Sequence, residues 1–457
     1  MKTIPKNWRW TTIGEVVEPV IEQSGPSGKG SFTYIDISSI DNKRKAITEP
    51  KTLHVKEAPS RARQKLLPND VLVSMTRPNL NAVAIVPSEL RNAIGSTGFC
   101  VLRAKEVIPK LLFYLTQTSS FINAMCEVVQ GALYPAVRPK DIKNHQIPVA
   151  PIDEQEKIVE EIETQFTRLD AGVTALKRAQ ANLKRYRAAV LKAACEGKLV
   201  PTEAELAKAE GRSYETGEQL LQRILAERRA KWEEENKKGG KKKDVEPKGP
   251  EVSKLPKLPE GWAWATVGQV SNTVQYGYTA SANKNTSGVR FLRITDIQNG
   301  NVNWDVVPTC KIPGRIIKDY KLQTDDIVFA RTGATVGKSF RLRGQFPESV
   351  FASYLIRVKP TSQLLSDWLD VCFQSPDYWS QIKVSSVGIG QPNVNGTKLC
   401  ALRVPIPPAK EQQRIVNEVE RMSSVMDELD NVLTASNKRS DNLRNAVLQH
   451  MLILNTK

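Results

Sequence analysis

The segment Ile147–Val159 reads IPVAPIDEQEKIV, and the segment Val404–Val416 reads VPIPPAKEQQRIV. Each segment has prolines at two matching positions, which exclude helix, followed by a Glu-Gln pair and an apolar pair that begin a helical pattern. The two segments lie 257 residues apart, far more than the roughly 20 to 50 residues of a solenoid unit. We therefore predict two similar domains, each followed by its own long helix.

The repeat includes the start of each half. Trp8–Gly14 reads WRWTTIG and Trp262–Gly268 reads WAWATVG, and NDVL at Asn69–Leu72 is matched by DDIV at Asp325–Val328. The tryptophans are predicted to be core anchors rather than platforms that stack on bases. Between these anchors the halves differ widely, which favours one scaffold with two specificities over a duplication kept only for its fold.

Composition and charge narrow the class of protein. The 457 residues include 66 Lys and Arg against 49 Asp and Glu, a net charge of +17 that favours a polyanionic partner such as nucleic acid. The sequence has neither an apolar run of about 18 residues nor a signal peptide, so we expect a cytoplasmic protein without membrane insertion. The six cysteines are scattered and only three histidines accompany them, so no metal site is predicted.

The overall pattern predicts a mixed α+β chain, in which two tandem α/β domains are joined by two long antiparallel coiled-coil helices. Short β-rich runs fill each half before the proline-rich segment, and helical periodicity follows it. The predicted segments are a first α/β domain at 1–150, a long helix at 151–196, a helical extension at 197–236, a flexible Lys-, Gly- and Pro-rich linker at 237–258, a second α/β domain at 259–407 and a final long helix at 408–457.

Both long helices carry a heptad seam, in which steps of four and three residues alternate. Because the two seams keep the same register, we predict that they pack on each other as an internal pseudo-twofold repeat. The pattern also places Gln165, Gly172, Ala179 and Tyr186 on the first seam. The main seam residues are Ile158, Ile162, Leu169, Leu176, Leu183 and Val190 in the first helix, and Ile415, Val419, Met426, Leu433, Leu443 and Val447 in the second.

The sequence lacks the motifs of a DNA-modifying enzyme. Gly388-Ile389-Gly390 is not followed by the rest of a dinucleotide-binding turn, and neither an NPPY or DPPY segment nor a phosphate-binding loop is present. Pro376-Asp377 followed by Gln381-Ile382-Lys383 is only faintly similar to a nuclease metal site, because Gln replaces the carboxylate that the metal needs. Catalysis is therefore not predicted for this chain.

Taken together, these motifs resemble the specificity subunit of type I restriction–modification systems. The likeness includes both proline-rich segments, EGKLVP at Glu196–Pro201 and ILAERRAKWEE at Ile224–Glu234. It implies two target-recognition domains on a helical spacer, assembled with two methyltransferase subunits and, in the restricting complex, with motor-nuclease subunits. S-adenosylmethionine, ATP and Mg would then be held by the partners, and no cofactor by this chain.

The spacer length agrees with a DNA reader. The predicted seam from Ile158 to Val190 is about 50 Å long at roughly 1.5 Å per residue, and one turn of B-DNA is roughly 34 to 36 Å. We therefore expect a double-stranded target with two short half-sites around an unread gap. Because the two domains differ in sequence, the target should be asymmetric.

Two loops in each domain offer side chains that could contact DNA. Guanidinium and amide groups can read bases, and Lys or Arg can bind phosphates. Turn chemistry is the alternative explanation for loops rich in Gly and Asn. The candidates are Arg77, Asn79, Asn81, Tyr134, Arg138 and Lys140 in the first domain, and Arg331, Thr335, Lys338, Gln391, Asn393 and Asn395 in the second.

Two other classes of function remain as alternatives. One is a self-sufficient DNA methyltransferase or nuclease, which would need the motifs that the sequence lacks. The other is a coiled-coil adaptor whose domains bind proteins, for which DNA affinity would be weak and insensitive to salt. The net charge of +17 favours DNA recognition over the adaptor.

Overall fold

The computed structural model describes residues 4–90, 92–129, 135–236, 246–283, 288–298, 300–386 and 392–453. The chain divides into two compact units: Met1–Ala179 with Val432–Lys457 form the first unit, and Gln180–Asn431 form the second. Each of the two long helices therefore contributes residues to both units. Part of the predicted linker, 237–245, lies outside the described residues.

The first unit begins with a mixed α/β domain and continues into the first long helix. Its described strands are β1 (Arg9–Thr12), β2 (Ser31–Ile35), β3 (Ile40–Asp41), β4 (Ala46–Ile47), β5 (Lys51–His54), β6 (Ala62–Lys65), β7 (Val71–Ser74), β8 (Val83–Ile85), β9 (Ala93–Ser96), β10 (Phe99–Leu102) and β11 (Gln146–Val149). Its helices are α1 (Pro109–Leu115), α2 (Ser119–Glu127), α3 (Pro139–Lys143) and the start of α4 (Ile152–Cys195), together with the end of the second long helix from Val432 on.

Small sheets make up the β-structure of the first unit. Strands follow the orders β5-β2-β9-β6, β10-β7-β8, β3-β4 and β1-β11, and only the β2–β9 pair is parallel among those described. The β1–β11 pair joins the Trp-containing start of the domain to the proline-rich segment, with Trp10 opposite Pro148. The two most strongly repeated motifs therefore form one ladder.

The second unit repeats this plan after a helical insertion. The insertion consists of α5 (Glu203–Glu210) and α6 (Gly217–Asn236). The described strands are β12 (Ala263–Thr266), β13 (Ser271–Tyr276), β14 (Val289–Leu292), β15 (Ile297–Gln298), β16 (Asn301–Val302), β17 (Thr309–Cys310), β18 (Ile327–Ala330), β19 (Ser339–Arg341), β20 (Ser349–Phe351), β21 (Leu355–Pro360) and β22 (Arg403–Ile406). The remaining helices are α7 (Gly314–Tyr320), α8 (Gln363–Cys372), α9 (Pro376–Ser385), α10 (Gly396–Cys400) and α11 (Ala409–Ile453).

Sheet order also recurs in the second unit. The sheets are β17-β14-β20, β13-β21-β18-β19, β15-β16 and β12-β22, and β14–β20 is the parallel pair among those described. The terminal ladder matches that of the first unit, with Trp264 opposite Pro405. The duplicated sequence thus encodes a duplicated sheet plan.

The repeated acidic motif forms the turn that begins the central strand of each unit. Asp70 is buried, accepts the amide hydrogen of Leu67 at 2.8 Å and forms two 2.8 Å contacts with the guanidinium of Arg103. Asp326 in the second unit is also buried and accepts from the amide of Gln323 at 2.9 Å. A carboxylate is needed at this position because the turn leaves an amide hydrogen inside the domain.

The α6 helix covers the β12–β22 ladder of the second unit. Leu220, Leu221 and Ile224 belong to the apolar core that includes Trp262 and Ile406. The α5 helix is held by a buried carboxylate, Glu203, which contacts Arg212 at 2.6 Å and Arg414 at 2.7 Å. The predicted helical extension is therefore part of the core of the second unit.

The two long helices run antiparallel in each unit. In the first unit, apolar residues near the start of α4 share a core with residues near the end of α11, namely Ile158, Ile162 and Phe166 with Leu448 and Leu452. In the second unit, the end of α4 shares a core with the start of α11, namely Val190, Leu191 and Ala194 with Ile415, Val416 and Val419. In both units the start of one long helix packs on the end of the other, so the two helices must run in opposite directions.

Burial of the predicted seam residues varies along the helices. Among them, Ile158, Ile162, Val190, Ile415, Val419 and Met426 are buried, and Leu169, Leu176, Leu183, Leu433 and Val447 are half-buried. Leu443 is 52% exposed, so its assignment to the seam was wrong. Arg444, one residue later, is half-buried instead and contacts the ring of Phe166.

The same one-residue difference occurs in α4. Gly172 and Tyr186 are exposed, whereas Val173 and Arg187 are half-buried. Steps of three and of four residues both return to nearly the same face of a helix. Two sets of seam positions, which differ by one residue at every second position, therefore fit the sequence equally well. The packed line in α4 contains Ile162, Phe166, Leu169, Val173, Leu176, Gln180, Leu183, Arg187 and Val190.

Candidate nucleic-acid interface

In the first unit, a short backbone bridge holds the 77–81 loop beside the segment that leads into α3. Thr76 and Ala136 form a β-bridge. The amide of Arg77 donates to the carbonyl of Pro135 at 2.8 Å, and the amide of Val137 donates to Met75 at 2.8 Å. The two candidate regions of this domain, distant in sequence, are therefore adjacent.

In the second unit, the same bridge joins the 333–337 loop to the segment that leads into α10. Thr332 pairs with Asn393, and the amide of Val394 donates to the carbonyl of Arg331 at 2.9 Å. The amide of Gly333 donates to Pro392 at 3.3 Å. Each domain thus presents a pair of loops on one repeated backbone frame.

The loops also share a backbone conformation. Arg77 and Asn81, with φ of 51° and 45°, enclose a 3₁₀ turn at Pro78–Leu80. Gly333 and Gly337, with φ of 78° and 82°, occupy the matching positions in the second unit. The hydrogen bonds therefore match Arg77 with Gly333, and the two loop arginines predicted from the sequence are not equivalent.

The candidates of the first unit differ in exposure. Arg77, Asn79, Arg138 and Lys140 are exposed. The backbone amide of Arg138 donates to Asp141 at 2.8 Å at the start of α3, so its backbone belongs to the helix cap while its side chain reaches solvent. These four side chains are placed where a polyanion could contact them.

Asn81 supports the loop from within the domain. It is 7% exposed, donates from Nδ2 to the carbonyl of Thr116 at 2.9 Å and accepts a hydrogen bond from Lys45 Nζ at 2.8 Å. Lys45 also donates to the backbone carbonyl of Asn81 at 2.5 Å, and burial lowers the pKa of Lys45 to about 8. These contacts favour a positioning role for Asn81.

Lys45 is a loop-supporting residue that sequence reasoning missed. It lies in the turn between β3 and β4 with φ of 54°. In the sequence it is part of the run Asn42–Lys45, NKRK, which has the composition of an exposed basic turn. Only the fold shows that the last lysine of this run turns toward the 77–81 loop.

The candidates of the second unit have more internal partners. The guanidinium of Arg331 lies 4.9 Å from the ring centre of Tyr276, whose hydroxyl accepts the amide hydrogen of Gly396 at 2.7 Å. Lys338 donates to the carbonyl of Ile297 at 3.1 Å, and Asn395 caps α10 by accepting from Lys398 at 2.8 Å.

The remaining candidates of the second unit lie at or near its surface. Thr335 and Asn393 are exposed. Gln391 lies outside the described residues, as does Tyr134 of the first unit. Asn395 is exposed as well, so the exposed second-unit candidates among those described are Thr335, Asn393 and Asn395.

The family model described as "Type I restriction modification DNA specificity domain" matches residues 5–182 and 259–439, which include most of both units. The chain belongs to this family. Its function is accordingly DNA target recognition within a type I restriction–modification system, as a specificity subunit rather than a catalytic one. As a family member, it binds DNA and assembles with other subunits.

Curated relatives and solved structures agree with this membership. The chain is 24% identical to the EcoKI specificity subunit of Escherichia coli K12, over 87% of this chain and 76% of the relative. It is 23% identical to the EcoAI specificity subunit of Escherichia coli, over 97% of this chain and 82% of the relative.

Among solved structures, one from work on assembly and conformational transition of the type I R-M system has a TM-score of 0.72. It is 24% identical and covers 98% of each chain. The HsdS subunit from Thermoanaerobacter tengcongensis has a TM-score of 0.58 at 23% identity, covering 98% of this chain and 97% of that one. These likenesses show the shared two-domain fold with its long helices.

Two further observations concern other classes of site in the specificity subunit. In the described part of the chain, no group of three or more His, Cys, Asp or Glu side chains could hold a metal ion. No described helix is long and apolar enough to cross a membrane.

Proposed function

We propose that this specificity subunit recognises a bipartite, gapped and asymmetric duplex target, with one half-site read by each unit. The observation that carries the proposal is the loop pair held by a β-bridge in both units, Thr76 with Ala136 and Thr332 with Asn393. The frame is the same, but the exposed side chains on it differ. One frame with two sets of side chains fits two different half-sites.

The chemistry of the loops supports reading of duplex DNA. Guanidinium and amide groups can form paired hydrogen bonds with base edges in the major groove, whereas lysines bind phosphates without sequence preference. The first unit exposes both kinds, with Arg77 and Asn79 in one loop and Lys140 beside the other. The net charge of +17 supplies the attraction that such contacts need.

We further propose that partner subunits perform the chemistry, with adenine methylation at the target and cleavage of unmodified DNA. Two methyltransferase subunits and motor-nuclease subunits would assemble on this chain in the cytoplasm. S-adenosylmethionine, ATP and Mg would bind to those partners. The specificity subunit would contribute the choice of sequence.

The first test is methylation-aware sequencing of the host genome with and without the gene for this chain. We expect methylated adenines at one gapped, asymmetric motif, and their loss when the gene is deleted. A second strain, in which residues 1–150 are replaced by the same domain of another family member, should change one half of the motif only. An unchanged motif in that strain would contradict the assignment of a half-site to each unit.

DNA binding by the reconstituted complex gives an independent test. If six or more phosphates are contacted, affinity should fall about 10³-fold or more between 50 and 200 mM salt. Weak binding that hardly depends on salt would instead support an adaptor that binds proteins. This measurement does not depend on whether the partner subunits are active in the host.

A further inference from the structure

Arg77 has a backbone conformation that its side chain makes unfavourable. Its φ of 51° and ψ of 60° lie in the left-handed region, which few residues other than glycine adopt. The matching position of the second unit is Gly333, with φ of 78°. The loop therefore folds with glycine at this point, and arginine in the first unit imposes a conformational cost that glycine avoids.

Among the described residues, the Arg77 side chain makes no polar contact that would offset this cost. The side chain is exposed, and within the described ranges its guanidinium has no hydrogen bond or ion pair. Some arginines of the first unit are paired within it, such as Arg103 with Asp70 at 2.8 Å and Arg9 with Glu106 at 2.7 Å, but those residues are not in the left-handed region. An unpaired guanidinium on a strained residue indicates a role outside the domain.

The loop that carries Arg77 is held in place on both sides. The Arg77 amide donates to Pro135 at 2.8 Å, and the far end of the loop is held by Asn81, which donates to Thr116 at 2.9 Å. A fixed backbone reduces the entropy lost when the side chain binds. Arg77 is thus a pre-positioned donor whose free end points to solvent.

We propose that Arg77 determines a guanine in the half-site that the first unit reads. Two parallel N–H donors of a guanidinium match the O6 and N7 acceptors of guanine in the major groove, a pattern that no other base presents there. The second unit has glycine at the matching position, and its loop arginine, Arg331, lies over Tyr276 instead. The guanine requirement therefore belongs to the first half-site. This inference rests on the proposed recognition of one half-site by each unit.

The experiment uses the complete complex with wild-type, Arg77→Lys and Arg77→Gly chains. Motifs are read by methylation-aware sequencing, and affinities are measured for the wild-type target and for targets with one base pair changed in turn. Arg77→Lys keeps the positive charge but loses the paired donors, so preference for one guanine should fall about 10-fold or more. The second half-site should stay unchanged.

Arg77→Gly separates recognition from folding. It removes the conformational cost, so the thermal midpoint of the chain should not fall, while the preference for that guanine should be lost. Arg331→Lys is the matched variant in the second unit and should leave the first half-site as it is. Retained guanine preference in Arg77→Gly would overturn the proposal.

Two other results of this experiment would have different meanings. Equal weakening of binding to every sequence, with a salt dependence reduced by about one counterion, would identify Arg77 as a phosphate contact and overturn the guanine assignment alone. Absence of any gapped motif and of salt-sensitive DNA binding in the wild-type complex would overturn the proposed function, and the inference with it.

Discussion

Arg444 contacts Asp170 at 2.5 Å in the first unit, and this ion pair links α11 to α4. In the second unit Arg187 contacts Asp427, also at 2.5 Å. Asp170 and Asp427 are equivalent residues of the two copies, separated by the repeat offset of 257 residues, and so are Arg187 and Arg444. Each long helix therefore supplies the acid of one pair and the base of the other.

Arg444→Ala should destabilise the helix pair of the first unit more than Arg187→Ala destabilises that of the second. Both ion pairs are substantially exposed, and such pairs contribute about 0 to 1 kcal/mol. Arg444 also lies 4.4 Å from the ring centre of Phe166, a cation–π contact that can add about 0.5 to 2 kcal/mol. The residue equivalent to Phe166 is Ser423, so Arg187 lacks this contribution.

Hydrogen exchange measured by mass spectrometry on peptides from each helix segment gives the local readout. Faster exchange should be confined to the helix segments of the first unit in Arg444→Ala. Phe166→Leu should reproduce most of this effect while leaving the ion pair in place. Equal effects of the two arginine substitutions would show that the aromatic contact contributes nothing.

Trp262→Phe should cost more stability than Trp8→Phe. Trp262 Nε1 donates to Glu411 at 2.9 Å, and this carboxylate is fully buried at the start of α11, where burial raises its pKa. Trp8 Nε1 makes the same bond to Glu154 at 2.8 Å, but Glu154 is half-buried and water can replace the donor. We expect a loss of about 2 to 3 kcal/mol for Trp262→Phe and below about 1 kcal/mol for Trp8→Phe.

Urea unfolding of the two variants, followed by circular dichroism, measures this difference. Glu411→Gln in the Trp262→Phe background should recover part of the loss, because the neutral amide is less costly to bury. If Trp262→Phe and Trp8→Phe lose the same stability, the buried carboxylate does not depend on its indole donor.

Gly217→Ala should release α6 from the second unit. A methyl group at this position would overlap the carbonyl oxygen of Ile406 and lie 3.0 Å from the amide nitrogen of Ala263. Backbone atoms cannot move aside as a flexible side chain can, so we expect a loss of about 1 to 3 kcal/mol. Gly314→Ala is the control, because Gly314 also begins a helix but has no heavy atom within 4 Å of the added carbon.

The measurement is a thermal midpoint together with proteolysis within Gly217–Asn236. Gly217→Ala should lower the midpoint and expose this helix to cleavage. Gly314→Ala should be neutral or slightly stabilising. An intact, protected α6 in Gly217→Ala would show that the ladder beneath it adjusts at little cost.

His145 should make the first unit less stable in mild acid. Burial lowers its pKa below the usual 6.5, and its ring packs edge-on against Phe121 at 5.2 Å. Below pH 6.5 the unfolded chain takes up a proton that the folded chain resists, so the free energy of unfolding falls as pH is lowered from about 7. Above about pH 7 the histidine is neutral in both the folded and the unfolded chain, so it does not contribute to the pH dependence of the unfolding free energy.

His145→Phe keeps the ring contact and removes the titration. The fall in unfolding free energy between pH 7.5 and 5.5 should be smaller in this variant than in the wild type. The carboxylates titrate in both proteins and therefore cancel in the comparison. Identical pH dependence would show that the histidine is protonated equally in both states.

Much of the fold follows from local sequence. Pro148 and Pro405 exclude helix, and the apolar pattern after them defines where α4 and α11 continue, so the two-domain plan with long antiparallel helices was predictable and is confirmed. The exact seam was not, because Gly172 and Val173 fit equally good periodic patterns. Only packing against the second helix selects between them.

The candidate site was less accessible to sequence reasoning. The loops were found because Arg and Asn cluster between apolar runs, but the match of Arg77 with Gly333 depends on hydrogen bonds to residues about 60 positions away. The internal role of Asn81 depends on Lys45 and Thr116, which are distant in sequence. Such pairings appear only when the backbone path is known.

The division of the chain between units has a consequence for synthesis on the ribosome. The second unit is one continuous stretch, Gln180–Asn431, whereas the first needs Val432–Lys457 to complete the core around Phe166 and Leu448. The core of the first unit is therefore complete only once the α11 segment from Val432 has been made, whereas the second unit needs no residue beyond Asn431. A truncated chain that ends at Asn431 would contain every residue of the second unit but lack the α11 segment that supplies Leu448 and Leu452 to the core of the first.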